Sequence, residues 1–353
     1  AAPPATVGTP TPITPASNIQ SPTSQDAAWA KVVQAARQEG KLTVYSFTFT
    51  GDTGMAIAKA FQQRYGIPVD IITGRGAEFI ERVKTELRVK QVTGDIMEGS
   101  ATHALNLKQA GGTIASKDLP VLREKDSWQF DPLVSDPEGH LLAHKFMYLS
   151  PFINTNLVKA NQEPKSYREL AKPEWKGKIV VGDPAVSTGI YNVFLALVDR
   201  GYLDMDYVRS LKGQEMRYFT GTRDVASAIA RGEAALGLVV TEAEGAPFVA
   251  EGAPIKALAF EEGTVVNLSA ISAIKSSPHP NAAQLFLNWI LTAEGQTVFN
   301  KAAGLASVRK DVTDFRPPGV TAIPKRLVLT NEKDAQRQAD AFRDKLLVDM
   351  WKK

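Results

Sequence analysis

The stretch Ile179–Leu197, IVVGDPAVSTGIYNVFLAL, decides the fold. A short apolar run passes through a loop of small residues into a patterned helix. Ile190, Val193, Phe194, Leu197 and Val198 recur at the i, i+3, i+4, i+7 and i+8 spacing of one buried helical face. The helix is therefore predicted to begin near Thr188, with Ser187 placed to cap it. Gly189 lacks a Cβ and leaves the first-turn N–H groups accessible at the positive end of the helix dipole. An anionic group suits such an end. The same residues also suit a capped core helix, so the rest of the chain has to decide between the two.

At 353 residues the chain exceeds the size at which a single core usually stops growing, which points to two lobes. With 44% hydrophobic and 22% charged residues the composition is that of an ordinary globular protein. A formal charge of +3, without a long Lys/Arg run, does not indicate nucleic acid as a partner. No apolar stretch reaches the roughly 18 residues that span a bilayer. Cysteine is absent, which removes thiol catalysis, disulfides and Cys-based metal sites together.

Residues 1–25 form a Pro, Thr, Ser and Ala tract without periodicity and read as a tether. Extended at about 3.1 Å per residue it would reach roughly 75 Å. The expectation is an exported chain, in the periplasm or at the outer face of the cytoplasmic membrane, with a lipidated Cys preceding Ala1 as one form of anchorage. Beyond the tether, strand and helix signals alternate: strands at 42–47, 69–73 and 95–97, helices at 26–38, 51–65, 77–90 and 102–110. Such alternation implies a largely parallel sheet with ligands beyond the carboxyl ends of its strands. Small or hydroxyl residues crowd those ends at Ser46–Thr50, Thr73–Gly76 and Gly99–Thr102. The runs 141–153 and 264–274 read as strands at the crossings between lobes. Lobe 1 is expected over 26–147 and 262–300, and lobe 2 over 148–261 and 301–353. Ala335, Ala339, Phe342, Leu346 and Met350 form one stripe of a last helix, which should dock on a lobe.

Enzyme readings lack their anchors. Gly74, Arg75 and Gly76 resemble half of a dinucleotide fingerprint, but Phe79 stands where the third glycine belongs. His140 and His144 have helical metal-pair spacing inside a segment that reads as strand, where about 13 Å would separate them. There is no Gly-x-Ser-x-Gly elbow and no Gly-Lys-Ser/Thr phosphate loop. No cofactor, metal site or catalytic residue is expected.

The landmarks Trp175-Lys176-Gly177-Lys178, Asp183-Pro184, Arg231–Gly237, Gly263-Thr264, Asn281–Leu291 and Ala293–Gln296 stand in a specific order. With them the chain resembles, from about Lys41 to Arg309, the family 1 extracellular solute-binding proteins of ABC importers, in the ferric-iron-binding branch and its organic-solute relatives. The resemblance implies an α/β type II periplasmic-binding clamshell, each lobe a mostly parallel sheet flanked by helices, closing on solute at a hinge. It also implies an ABC permease as membrane partner and a monomeric chain. Iron-binding members carry adjacent tyrosines after the strand that is Leu236–Val240 here, where this chain has Thr241–Glu244.

The family's cleft positions fall on Ser46, Phe47 and Thr48, on Ser100, on Ser187, Thr188 and Gly189, and on Thr241 and Glu242. Ser187 to Gly189 are expected to hold a carboxylate, phosphate or phosphonate, helped by Arg75. Glu242 is expected to meet an ammonium end, and Tyr45, Phe47 or Phe49 to form an apolar wall. A small anionic or zwitterionic organic solute is the resulting expectation. The alternatives are a carrier of ferric iron or another metal using Glu242 and Tyr191 with an anion at Ser187, and, behind it, an α/β enzyme.

Overall fold

The computed structural model describes residues 24–317, 319–322 and 324–352. The expected tether lies outside them, except that Ser24 and Gln25 already belong to the first helix. The first half of the chain is α1 (Ser24–Glu39), β1 (Leu42–Ser46), α2 (Gly51–Tyr65), β2 (Val69–Thr73), α3 (Gly76–Arg88), β3 (Ile96–Ser100), α4 (Ala101–Gln109), β4 (Thr113–Ile114) and β5 (Leu142–Asn154). It continues through β6 (Ile179–Gly182), α5 (Gly189–Asp199), α6 (Met205–Ser210), β7 (Arg217–Phe219), α7 (Thr222–Ala230), β8 (Leu236–Thr241), α8 (Glu242–Ala250), β9 (Ile255–Ala257) and β10 (Thr264–Ile274). It closes with α9 (Pro280–Leu291), α10 (Ala293–Ala303), β11 (Leu327–Leu329), α11 (Glu332–Arg343) and α12 (Leu346–Trp351).

One sheet runs in the order β2-β1-β3-β10-β5-β8-β6-β7. At one end β2, β1 and β3 are parallel, and at the other β8, β6 and β7 are parallel. The antiparallel β10 and β5 lie between them. Each central strand serves two cores. Leu142, Ala143, Phe146 and Tyr148 of β5 enter the first core, whereas Leu149 and Ile153 enter the second. On β10, Val265 belongs to the second core and Val266, Leu268 and Ile271 to the first. We divide the lobes at these steps.

Two expectations change. Leu305, Ala306 and Val308 pack in the first core, so the segment from 301, expected in lobe 2, begins in lobe 1. Arg309 fastens it there by donating to Glu124 at 2.7 Å and to the Leu291 carbonyl at 3.2 Å. The single last helix is two, because Lys345 adopts a left-handed φ of 54° and turns the chain between α11 and α12. Burial at the end then falls to Leu347 and Trp351, the indole N–H of the latter donating to the Val208 carbonyl at 2.8 Å.

Thr292 caps α10 by accepting from Gly295 N–H, and Gly304 ends it in the left-handed conformation. Gln296, one turn in, is completely buried. Its Nε2 donates to the carbonyls of His144 on β5 and Ile290 on α9, and its Oε1 accepts from Ser307 and Asn300. One side chain thus ties a helix pair to a crossing strand. Gln296→Leu strands several of these buried groups at about 1–3 kcal/mol each. Urea unfolding should therefore show a loss of at least about 2 kcal/mol, and a loss below experimental error would remove Gln296 as a structural tie.

Candidate ligand-binding site

The cleft is built from the crossing strands outward. Register shifts between Ser269 and Ala270 of β10, leaving His144 of β5 as an extra residue in a bulge. After it, Phe146, Val266 and Leu268 point into the first core. The alternate residues Lys145, Met147, Asn267 and Ser269 line a cavity of about 240 Å³. Lys145 is 6% exposed, and among the described residues its ammonium makes no hydrogen bond or ion pair. Burial pulls its pKa below the usual lysine range, against the opposing pull of Glu98 and Glu244.

Glu98, in the middle of β3, is fully buried. It accepts from Ser46 Oγ at 2.7 Å, from the N–H groups of Phe47 and Thr48 at 3.1 and 2.9 Å, and from Thr48 Oγ1 at 2.9 Å. His144 Nε2 lies 3.1 Å away, where it donates to the carboxylate. Burial by itself would raise the carboxyl pKa, but His144, Lys145 and Ser46 overcome that and hold it at about 2. The loop after β1 is thereby wound round a buried anion. Phe47, half exposed, is presented to the cavity together with Thr48.

Across the cleft stands the loop before α5. Asp183 organises it, accepting from Ala185 N–H through Oδ1 and from Val186 and Ser187 N–H through its carbonyl. Thr188, not Ser187, is the N-cap, and it makes no side-chain cap bond. The N–H groups of Thr188, Gly189 and Ile190 have no partner among the described residues. Thr188 and Asn192 line the cavity, as do Ser100 and the first-turn residues of α4, Thr102 and His103. Thr330, Ala335 and Gln338 complete it from the end of the chain. The lining carries hydroxyls, amides, one imidazole and one ammonium, and no carboxylate or phenol.

Residues 56–327 match the profile of bacterial extracellular solute-binding proteins. The chain belongs to that family. It is 24% identical to iron uptake protein A1 of Synechocystis sp. over 283 residues, which are 76% of this chain and 75% of that protein. The periplasmic binding protein AfuA from Actinobacillus pleuropneumoniae, with fructose-6-phosphate bound, shares the fold at a TM-score of 0.67 and 22% identity, covering 89% of this chain and 99% of that one. Trichodesmium IdiA (FutA), in complex with iron and citrate, does so at 0.72 and 22%, covering 88% and 98%. The fold is the type II periplasmic-binding one that the order of landmarks implied. Solute-binding proteins of this kind hand small ligands to a membrane permease.

Against that solute-binding fold the expected residues divide. Phe47, Thr48, Ser100 and Thr188 converge on the cavity. Ser46 is fully buried, its hydroxyl committed to Glu98, so it shapes the loop rather than facing solute. Ser187 and Gly189 flank Thr188 outside the lining, and Arg75 is exposed at the start of α3. Tyr191 is buried in the second core, edge-on to Phe342. Tyr45 stacks on Phe79 and Phe49 packs in the first core, so neither forms a cleft wall. Thr241 donates to Glu244 at 2.8 Å. Glu242 is buried and paired with Arg316 at 2.6 Å; its own charge is already met within the chain. Lys145, Asn192, Asn267 and Gln338 carried no motif. The one legible sign was a lysine inside a long apolar strand.

Because the Glu98 carboxyl sits at about 2, below the ordinary 4.5, its contribution is complete above pH 4.5 and is lost as the pH falls toward 2. The shift corresponds to on the order of 3 kcal/mol. Urea titrations of the parent and of Glu98→Gln at pH 5 and pH 2.5 should show the gap between them narrowing in acid. A gap independent of pH would mean that the carboxylate charge does not hold the loop.

Proposed function

We propose that this solute-binding protein captures a small organic anion in the cavity between its lobes, as the ligand-receiving component of an importer. The Lys145 ammonium carries the reading. An ammonium without a partner in the chain, on a side chain only 6% exposed, has lost much of its hydration, and an anion in the cavity supplies the missing partner. The open first-turn N–H groups of α5 offer further donors to a carboxylate or phosphate. The hydroxyl and amide lining suits a ligand rich in hydroxyl groups, with Phe47 and Met147 as its apolar wall. Since Arg316 already holds Glu242, the anionic half of the expected zwitterion is the half with support.

Binding rather than catalysis is the reading for the cleft, because the family is one of solute-binding proteins. A single chain completes both walls of the cavity, which supports a monomer; light scattering on the eluting protein should give one chain's mass. Ferric iron with an accompanying anion is the second reading, favoured by the iron named for two relatives. It would have to be held by His103 without carboxylate or phenolate and beside a cation.

A thermal-shift screen of organic acids, phosphate esters, phosphonates, amines and metal salts should return an anion. Lys145→Met should weaken that anion at least about 100-fold, near 3 kcal/mol. It should leave the ligand-free melting temperature unchanged or higher, because a buried unpaired charge is gone. A best ligand that is an amine, a visible absorption band with ferric iron alone, or unchanged affinity in Lys145→Met would each overturn the reading.

A further inference from the structure

The helix α11 lies along the cleft and bonds to both walls. Gln338, 6% exposed, is its central tie. Its Nε2 donates to the Thr188 carbonyl at the start of α5, 3.1 Å away, and its Oε1 accepts from Thr102 Oγ1 on α4 at 3.3 Å. On the α4 side Gln109 also donates to Gln336. On the α5 side Arg200 reaches Asp334 with bonds of 3.0 and 2.7 Å, and Arg337 pairs with Asp199. Apolar packing is divided in the same way. Ala335 is buried with Ala101, Ala104 and Leu105 of the first lobe, whereas Phe342 packs on the second core. Gln338 also separates the cavity holding Lys145 from a second space of about 310 Å³ on the opposite flank of α11.

We propose that α11 is a strap that holds the two lobes together before any ligand arrives, with Gln338 as its positioning residue. The ties are unequal. Besides the neutral bond from Gln338 to Thr188, the second lobe holds α11 through the ion pairs of Arg200 and Arg337, whereas the polar ties to the first lobe are between neutral groups, and charge-assisted bonds are roughly twice as strong. On opening, α11 therefore leaves the first lobe and travels with the second. The strap acts on the empty cleft, whichever solute later fills it.

These 353 residues include no cysteine, so spin labels can be placed at single sites on the whole of this chain. Exposed Lys59 on α2 and exposed Lys212 beyond α6, each changed to Cys, report the distance between lobes. Electron–electron resonance on the ligand-free parent should give one narrow distribution. Thr102→Val with Gln109→Leu cuts the polar ties to the first lobe and leaves the ion pairs of α11 intact; its major population should move to longer distances. Gln338→Ala should do the same, with melting curves showing that each variant is folded. A parent that is already broad and open without ligand, or variants with the parent's distribution, overturns the strap. No ligand enters the measurement, so the strap stands or falls whether or not the solute proves to be an anion.

Discussion

Two opposite charges are drawn away from bulk water where β3, β10 and β5 lie side by side, Glu98 wholly and Lys145 up to the cavity it faces. Removing either from solvent costs several kcal/mol unless partners replace the lost hydration. For Glu98 they do: two backbone N–H groups, two hydroxyls and an imidazole converge on its oxygens. For Lys145 they do not, and the attraction of Glu98 reaches it only through space. On the proposed reading this asymmetry gives the site its sign. A satisfied anion behind the loop ties that loop down, and the unsatisfied cation facing the cavity is what the proposed preference for negative charge rests on.

The rigidity has a consequence for recognition. Ser46 Oγ donates to Glu98 while accepting from the N–H groups of Thr48 and Phe49, so the turn after β1 has little freedom left. Phe47 projects from this turn, and half of it remains exposed. A large apolar side chain held out over a polar cavity by a fixed backbone loses little conformational freedom when a ligand packs against it, which is how preorganisation adds to affinity.

Much of the fold was legible because its signals are local. Alternating strand and helix runs and the two long strands at the crossings follow from spacing and turn chemistry. The candidate site was legible only where it sits at strand ends or a helix start, at Phe47, Thr48, Ser100 and Thr188. Lys145 escaped because a strand signal comes from its apolar majority, and no spacing rule says that a bulge at His144 turns the lysine toward the cleft. Glu242 misled for the complementary reason. Its place after β8 is right for a ligand contact, but Arg316, 74 positions away in sequence, arrives to neutralise it. Ser187 yielded to Asp183, whose carboxylate and carbonyl both organise the loop, where one hydroxyl could take only a single cap.

The stripe on the last helix shows how far pattern alone can carry function. Its periodicity predicts docking, and docking is what Phe342 and Ala335 do, but on different lobes. A helix that packs on one lobe adds stability to that lobe; a helix that packs on two couples their relative motion to its own attachment. A ligand changes such an equilibrium only by the difference in its affinity for the open and closed forms. Where a strap already favours the closed form, little of the ligand's binding free energy is needed to bring the lobes together, so more of it appears as affinity. The cost moves into kinetics, because the solute must wait for the neutral ties at Thr102 and Gln109 to release before it can reach Lys145.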